Sequence, residues 1–93
     1  MKVKPITSID TALRIYYTYP EIGNKEIREL FGGLGNSTIA AYKRAVQKEQ
    51  AESGVLTSQA YTINTEVAFK VWGIDVADLE KRRDKLKKLG LSA

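Results

Sequence analysis

A glycine-rich stretch followed by two cations is the part of this sequence best suited to binding phosphate. In LFGGLGNSTIAAYKRA, residues 30–45, three glycines fall within four residues, and Lys43 and Arg44 follow on a segment with a helical pattern. Glycine-rich loops that open helices expose backbone N–H groups to phosphate. The stretch therefore has three possible interpretations: a nucleotide pocket, a turn between two helices, or a surface that grips the phosphates of a nucleic acid.

A nucleotide pocket does not fit the surrounding pattern. A P-loop requires a strand, then G-x-x-x-x-G-K-[ST], then a helix, but no lysine follows the last glycine, Gly35. A dinucleotide fingerprint requires a βαβ unit, whereas the residues before Gly32 have a helical pattern. We therefore expect no nucleotide cofactor, and nothing in the sequence indicates another cofactor.

The side chains that perform most enzymatic chemistry are missing. The 93 residues include no cysteine and no histidine, which removes thiolate metal ligands and the commonest general base at neutral pH. Asp75 and Asp78 are explained by helix capping, so no carboxylate pair is left for acid–base work. We expect a protein that is not an enzyme, with no catalytic residue and no metal site.

Charge and hydropathy favour a cytoplasmic protein and leave its partner open. The net charge is +4, from 15 basic and 11 acidic residues, a mild excess that is compatible with nucleic acid, with an acidic protein or with no charged partner at all. The start, MKVKPITSID, has two lysines without the apolar run of a secretory signal. No segment reaches the roughly 20 apolar residues needed to cross a bilayer, so we expect no membrane partner.

Apolar periodicity predicts five helices. Stripes at i, i+3 and i+4, bounded by capping residues, glycine and proline, place them at 8–18, 25–31, 37–52, 65–72 and 76–89. The expected N-caps are Thr7 for the first helix, Asn24 for the second, Asn36 or Ser37 for the third, and Asn64 for the fourth.

The segment between the third and fourth helices has a different composition. Residues 55–63, VLTSQAYTI, are rich in β-branched and aromatic residues, which predicts an ordered extended connector or, alternatively, a poor β-hairpin. The expected fold class is all-α: a three-helix bundle over residues 1–54, an extended connector, then two C-terminal helices. We expect a single domain overall, with residues 55–93 packed on the bundle, on a partner copy, or on both.

The segment 22–48 resembles the helix-turn-helix unit of small bacterial and phage DNA-binding proteins such as repressors and recombinases. The matching positions are Ile27, Leu30, Phe31 and Gly32 in the supporting helix, Leu34 in the turn, and Ser37, Thr38, Ile39 and Tyr42 in the recognition helix. A short link between crossing helices needs a positive-φ residue, here Gly32 or Gly33, and an apolar residue at the elbow. Two positions depart from the family: Gly33 lengthens the turn by one residue, and Arg28 stands where alanine is usual.

This resemblance implies sequence-specific binding to double-stranded DNA by a regulator of bacterial, phage or mobile-element type. A recognition helix at about 37–52 would enter the major groove with its N-terminal half. The residues implied to face bases or groove walls are Asn36, Ser37, Thr38, Ala40, Ala41 and Arg44, with Arg44 best suited to guanine. Those implied to meet phosphates are Lys25, Lys43, Gln47 and Lys48. Residues 36–48 include three cations and no acid, which favours this interpretation over a plain helical bundle.

The basic C-terminal helix, LEKRRDKLKKLG, has several possible roles. Acids three or four residues before cations (Asp78–Arg82, Glu80–Arg83, Asp84–Lys88) predict a solvated helix crossed by ion pairs. Its stripe predicts the interface of a homodimer, formed by Val76, Leu79, Arg83, Leu86 and Leu89. A third possibility is a basic tail that grips phosphates. The alternative function is a helical protein-interaction adaptor that uses this helix and does not bind DNA.

Overall fold

The chain is mostly helical, as expected, with one short sheet that the sequence did not predict. The computed structural model describes residues 1–90. In chain order the elements are α1 (Ile9–Thr18), β1 (Glu21–Ile22), α2 (Asn24–Phe31), α3 (Asn36–Ser53), β2 (Ile63–Asn64), α4 (Thr65–Val71) and α5 (Val76–Lys88). The last three residues of the expected 55–93 segment lie outside the described residues.

Helix ends follow the capping chemistry of the sequence at several places. Asn64 caps α4 by accepting the N–H of Val67 at 2.9 Å, and Asp75 caps α5 by accepting the N–H of Asp78 at 3.2 Å. Gly54 ends α3 in the left-handed conformation, with φ of 71°. The side-chain caps at Asn64 and Asp75 therefore set the starts of the two C-terminal helices.

Three of the expected N-caps are wrong. Ser8, not Thr7, caps α1 by accepting the N–H of Thr11 at 3.2 Å. Gly23 precedes α2 and Gly35 precedes α3, so that Asn24 and Asn36 are the first helical residues instead. Both asparagines use their side-chain oxygens to accept hydrogen bonds from other elements. Glu26 satisfies the start of α2 by accepting the N–H of Gly23 at 2.8 Å.

The two strands join segments that are far apart in the sequence. β1 and β2 pair antiparallel, with Glu21 opposite Asn64 and Ile22 opposite Ile63. Both isoleucines are fully buried. Thr65, directly after β2, donates its hydroxyl to the carbonyl of Tyr19 at 2.5 Å. The end of the connector is thus tied to the segment that follows α1, and no hairpin forms within the connector.

The core lies where α3 packs on α4 and where α1 packs on α2 and α5. Its centre is an aromatic group of Phe31, Tyr42 and Trp72, with each ring at most 6% exposed. Phe31 meets both other rings edge-on, at centroid distances of 5.2 and 5.3 Å. The indole N–H of Trp72 donates to the carbonyl of Tyr42 at 3.3 Å, so its polar atom is satisfied inside the core.

Candidate nucleic-acid interface

The turn between α2 and α3 places the candidate recognition helix. It comprises residues 32–35, in which Gly32 has φ of 82° and donates its N–H to the carbonyl of Arg28 at 2.7 Å. Leu34 is buried at the elbow, 8% exposed, whereas Gly33 is exposed and lies outside the positive-φ region. Of the two glycines that the sequence offered, Gly32 therefore takes the special conformation, and Leu34 holds the predicted apolar position.

α3 has one buried side and one exposed side. Ile39, Tyr42, Val46 and Gln50 are buried, and Gln50 accepts the N–H of Asn64 through its side-chain oxygen at 2.7 Å. Most of the sequence-derived contact residues are exposed on other faces: Lys25, Asn36, Ser37, Thr38, Ala40, Arg44, Gln47 and Lys48. Ala41 and Lys43 are half-buried. The exposed residues of α3, together with Lys25 at the start of α2, are what we call the α3 surface.

Arg28 belongs to this surface, although its position in the sequence predicted no contact for it. Its side chain is exposed and its Nη2 donates to Asn36 Oδ1 at 2.6 Å, which bridges α2 and the first turn of α3. The signal in the sequence was a cation where the helix-turn-helix units that this segment resembles have a small residue. A guanidinium group beside the start of α3 adds five N–H donors at the point where that helix leaves its own N–H groups without a side-chain cap.

Lys43 is half-buried and joins α3 to two other segments. Its Nζ donates to Asn24 Oδ1 at 3.2 Å and to the carbonyl of Tyr61 at 2.7 Å, which joins α3 to the start of α2 and to the connector. In this structure the ammonium group is therefore occupied, and the outward cations of α3 are Arg44 and Lys48. The sequence alone cannot distinguish Lys43 from Arg44 and Lys48, because only the folded chain brings Asn24 and Tyr61 next to Lys43.

Two acidic side chains of α2 are engaged away from the α3 surface, whereas Glu52 is exposed in the last turn of α3 itself. Glu29 accepts a charged hydrogen bond from Arg14 at 2.5 Å, which raises the pKa of the Arg14 guanidinium. Glu26 is bound to the backbone of Gly23. The candidate interface consequently presents Lys25, Arg28, Arg44 and Lys48 without a salt bridge among the described residues.

The connector is clamped beside α3 by Glu21. Its carboxylate accepts hydrogen bonds from the Thr62 hydroxyl at 2.6 Å and from the Ser58 N–H and hydroxyl at 2.9 and 3.1 Å. These donors hold the pKa of the Glu21 carboxyl below its ordinary value, first the Thr62 hydroxyl and then the Ser58 backbone. The clamp leaves the ring of Tyr61 67% exposed next to Lys43.

The Glu21 carboxylate should take up its proton at a pH below the ordinary range of glutamate. Because the folded pKa of Glu21 is depressed, its contribution is present above the unfolded value of about 4.3 and is lost as the pH falls through the folded value. The Ser58 amide proton, followed by NMR from pH 7 to pH 2, should shift with a midpoint under 4.3. Glu21→Gln should abolish that transition, whereas a Ser58 midpoint at or above 4.3 in the natural protein contradicts the clamp.

The predicted dimer stripe on α5 is only partly available. Leu79 is 7% exposed and belongs to the core of its own chain, and Val76 packs partly against that core, so neither forms a free face. Arg83 is half-buried, with its Nε buried and without a partner. Leu86 is half-buried and Leu89 is 71% exposed. Of the predicted stripe, only Leu86 and Leu89 are therefore apolar positions outside the chain's own core.

Comparison with protein-family models, with curated protein sequences and with solved structures gives no match to this chain. Within residues 1–90, no cluster of carboxylates is arranged to hold a metal ion. None of the helices in that range combines the length and the apolar character that crossing a bilayer requires. The geometry of the α3 surface is accordingly the basis for assigning a function.

Proposed function

We propose that this protein binds double-stranded DNA in a sequence-specific manner through a helix-turn-helix formed by α2 and α3. The observation that carries the proposal is the two-sided character of α3. One side, the α3 surface, is exposed and carries polar and cationic residues, and the other side is buried along Ile39, Tyr42 and Val46. The class of protein that we propose is a small regulator of bacterial, phage or mobile-element type.

The dimensions and side chains of α3 suit the major groove. Its 18 residues give a helix about 27 Å long, and the groove, about 12 Å wide, admits one α-helix. At its start, Asn36, Ser37 and Thr38 are exposed and no acid lies in the first turn. The small Ala40 permits close approach to base edges. This end of α3 therefore combines open N–H groups with short polar side chains where DNA would meet it.

The exposed cations divide into two roles. Arg44 lies two turns into α3 and is long enough for bidentate contact with guanine O6 and N7. Lys25 and Lys48 flank it and suit phosphates, which attract cations without regard to sequence. Arg28 and Asn36 act as a bonded pair at the helix start. In this arrangement specificity depends on Arg44 and the first turn, and affinity depends on the flanking lysines.

A homodimer is the assembly that we propose for tight binding, because two recognition helices then engage two half-sites. Leu86 and Leu89 at the end of α5 are the apolar side chains left for that contact.

Arg44→Ala should weaken binding to a preferred DNA site by about 1–3 kcal/mol and weaken binding to scrambled DNA by less. The site is first selected from a pool of randomised duplexes, and fluorescence anisotropy then gives affinities for both duplexes across salt concentrations. Lys70→Ala, which removes an exposed cation on α4, is the matched control and should leave the ratio of the two affinities unchanged.

Two results of that titration contradict the proposal at different levels. Equal losses on selected and scrambled duplexes mean that Arg44 does not recognise a base. A natural protein that fails to bind any duplex at 50 mM salt has no DNA-binding function of this kind, since low salt favours every phosphate contact.

A further inference from the structure

The order of elements around α2 and α3 recurs around α4 and α5. In each case a two-residue strand leads into a short helix, a four-residue turn and a longer helix, and the two strands pair with each other. Each turn contains one positive-φ glycine, Gly32 or Gly73, followed by an apolar residue, Leu34 or Ile74. The chain therefore contains two units of the same design.

The second helices of the two units also face the core in the same way. The fourth residue of α3 is Ile39 and that of α5 is Leu79, and they are 1% and 7% exposed. Because Ile39 and Leu79 point into the core, the side of each helix that lies away from these residues faces outward. For α5 that outer face is the strongly charged part of the molecule.

The outer face of α5 has a stripe of lysines. Lys81, Lys85 and Lys88 are all exposed, and their spacing of four and three residues places them on one side of the helix. Of the three ion pairs expected along α5, residues 1–90 include only Asp78–Arg82, at 2.9 Å. Glu80 instead accepts the hydroxyl of Tyr17, which raises the pKa of that tyrosine.

The balance of charge on this face is positive. Asp84 borders the stripe, and the other nearby acid, Asp78, is occupied by Arg82. Three lysines thus face one carboxylate that is not engaged in a salt bridge within the described part of the chain. We call Lys81, Lys85 and Lys88 the α5 stripe.

The two surfaces differ in what they can recognise. The start of α3 has no acid and no side-chain cap. At the start of α5, Asp75 caps the helix and Asp78 lies in its first turn, and these carboxylates would repel phosphate at that end. The cations of α5 lie in its C-terminal half instead. Lysine side chains are flexible point charges that suit phosphates rather than base edges.

We propose that the α5 stripe is a second DNA-binding surface, which contacts phosphates of the same duplex without sequence preference while α3 occupies the major groove. This inference rests on the proposed function of α3. It assigns the lysines of the C-terminal helix to DNA phosphates and leaves Leu86 and Leu89 for the proposed dimer contact.

The test compares two triple variants that lose the same charge. Lys81→Gln, Lys85→Gln and Lys88→Gln together remove the α5 stripe. Lys2→Gln, Lys4→Gln and Lys70→Gln together remove three exposed lysines elsewhere. Log affinity falls as log salt rises, and each lost phosphate contact makes this negative slope shallower by about 0.9. The slope of the stripe variant should therefore be shallower by about 2–3, equally on selected and scrambled duplexes, and that of the control by less than 1.

The outcomes separate this inference from the function of α3. A stripe variant with the same slope as the control overturns the inference, even where Arg44→Ala still reduces sequence preference. A stripe variant that instead loses self-association in sedimentation, with its slope unchanged, also overturns it and makes α5 a protein-binding helix. A reduced slope supports the α5 stripe even where Arg44→Ala leaves sequence preference intact, a result that contradicts only the role of α3.

Discussion

Phe31→Ala should lower the free energy of unfolding by about 3–5 kcal/mol, the usual cost of removing a buried aromatic ring. Phe31 is 2% exposed and contacts Tyr42 of α3 and Trp72 after α4. Its removal leaves a cavity between three helices that cannot close without moving α3. Because small domains are stable by only about 5–15 kcal/mol, the variant loses a large share of its stability.

Urea denaturation followed by tryptophan fluorescence measures this loss directly. Trp72 is the one tryptophan of the chain and lies 5.3 Å from the Phe31 ring, so its emission reports on this part of the core. Tyr61→Ala removes an aromatic ring that is 67% exposed and should change the stability by no more than about 0.5 kcal/mol. Similar midpoints for the two variants contradict the assignment of Phe31 to the centre of the core.

Gly32→Ala should destabilise the protein by about 1–3 kcal/mol, whereas Gly33→Ala, one residue later, should be neutral or stabilise it by up to about 1 kcal/mol. Gly32 combines φ of 82° with ψ of −159°, a region that is open essentially to glycine alone. A Cβ there meets only Thr7 Cγ2, at an ordinary 3.6 Å, so the cost is in the backbone. Gly33 has no heavy atom within 4 Å of its Cβ position and lies outside the positive-φ region.

The two alanine variants form their own control, because they add the same methyl group on neighbouring residues. Thermal and urea unfolding of both should give a clear difference with Gly32→Ala the less stable. Equal stabilities contradict the geometry of the turn. A larger loss at Gly33 means that the extra residue of the turn, and not Gly32, takes the left-handed conformation.

The helices and several of their ends could be predicted from the sequence, because these depend on local chemistry. Asn64, Asp75 and Gly54 act within one turn of the residues that they cap or terminate, so their types are sufficient. Leu34 was predicted at the elbow because a short link between two crossing helices needs an apolar residue there. Fold class and helix positions follow from such signals.

The contacts that join distant segments could not be predicted. The β1–β2 pair is two residues long on each side, too short to give an alternating pattern. Asn24 and Asn36 have the composition of caps, but their side chains bind Lys43 and Arg28, which only the folded arrangement brings near. At the candidate site the exposure of α3 followed from its apolar stripe, whereas the roles of Arg28 and Lys43 depended on their partners across the turn.

The contacts around β1 and β2 join the first 54 residues to the C-terminal helices. Gln50 of α3 binds the backbone of Asn64, Trp72 fills the space beside Phe31, and Thr65 binds the carbonyl of Tyr19. Residues 1–54 alone would lack these partners and expose the side of α3 that faces α4. Because the helices share these contacts, we expect them to unfold as one cooperative unit and α3 not to fold as a separate module. An event at the C-terminal helices that loosens α4 would reach α3 through the shared core.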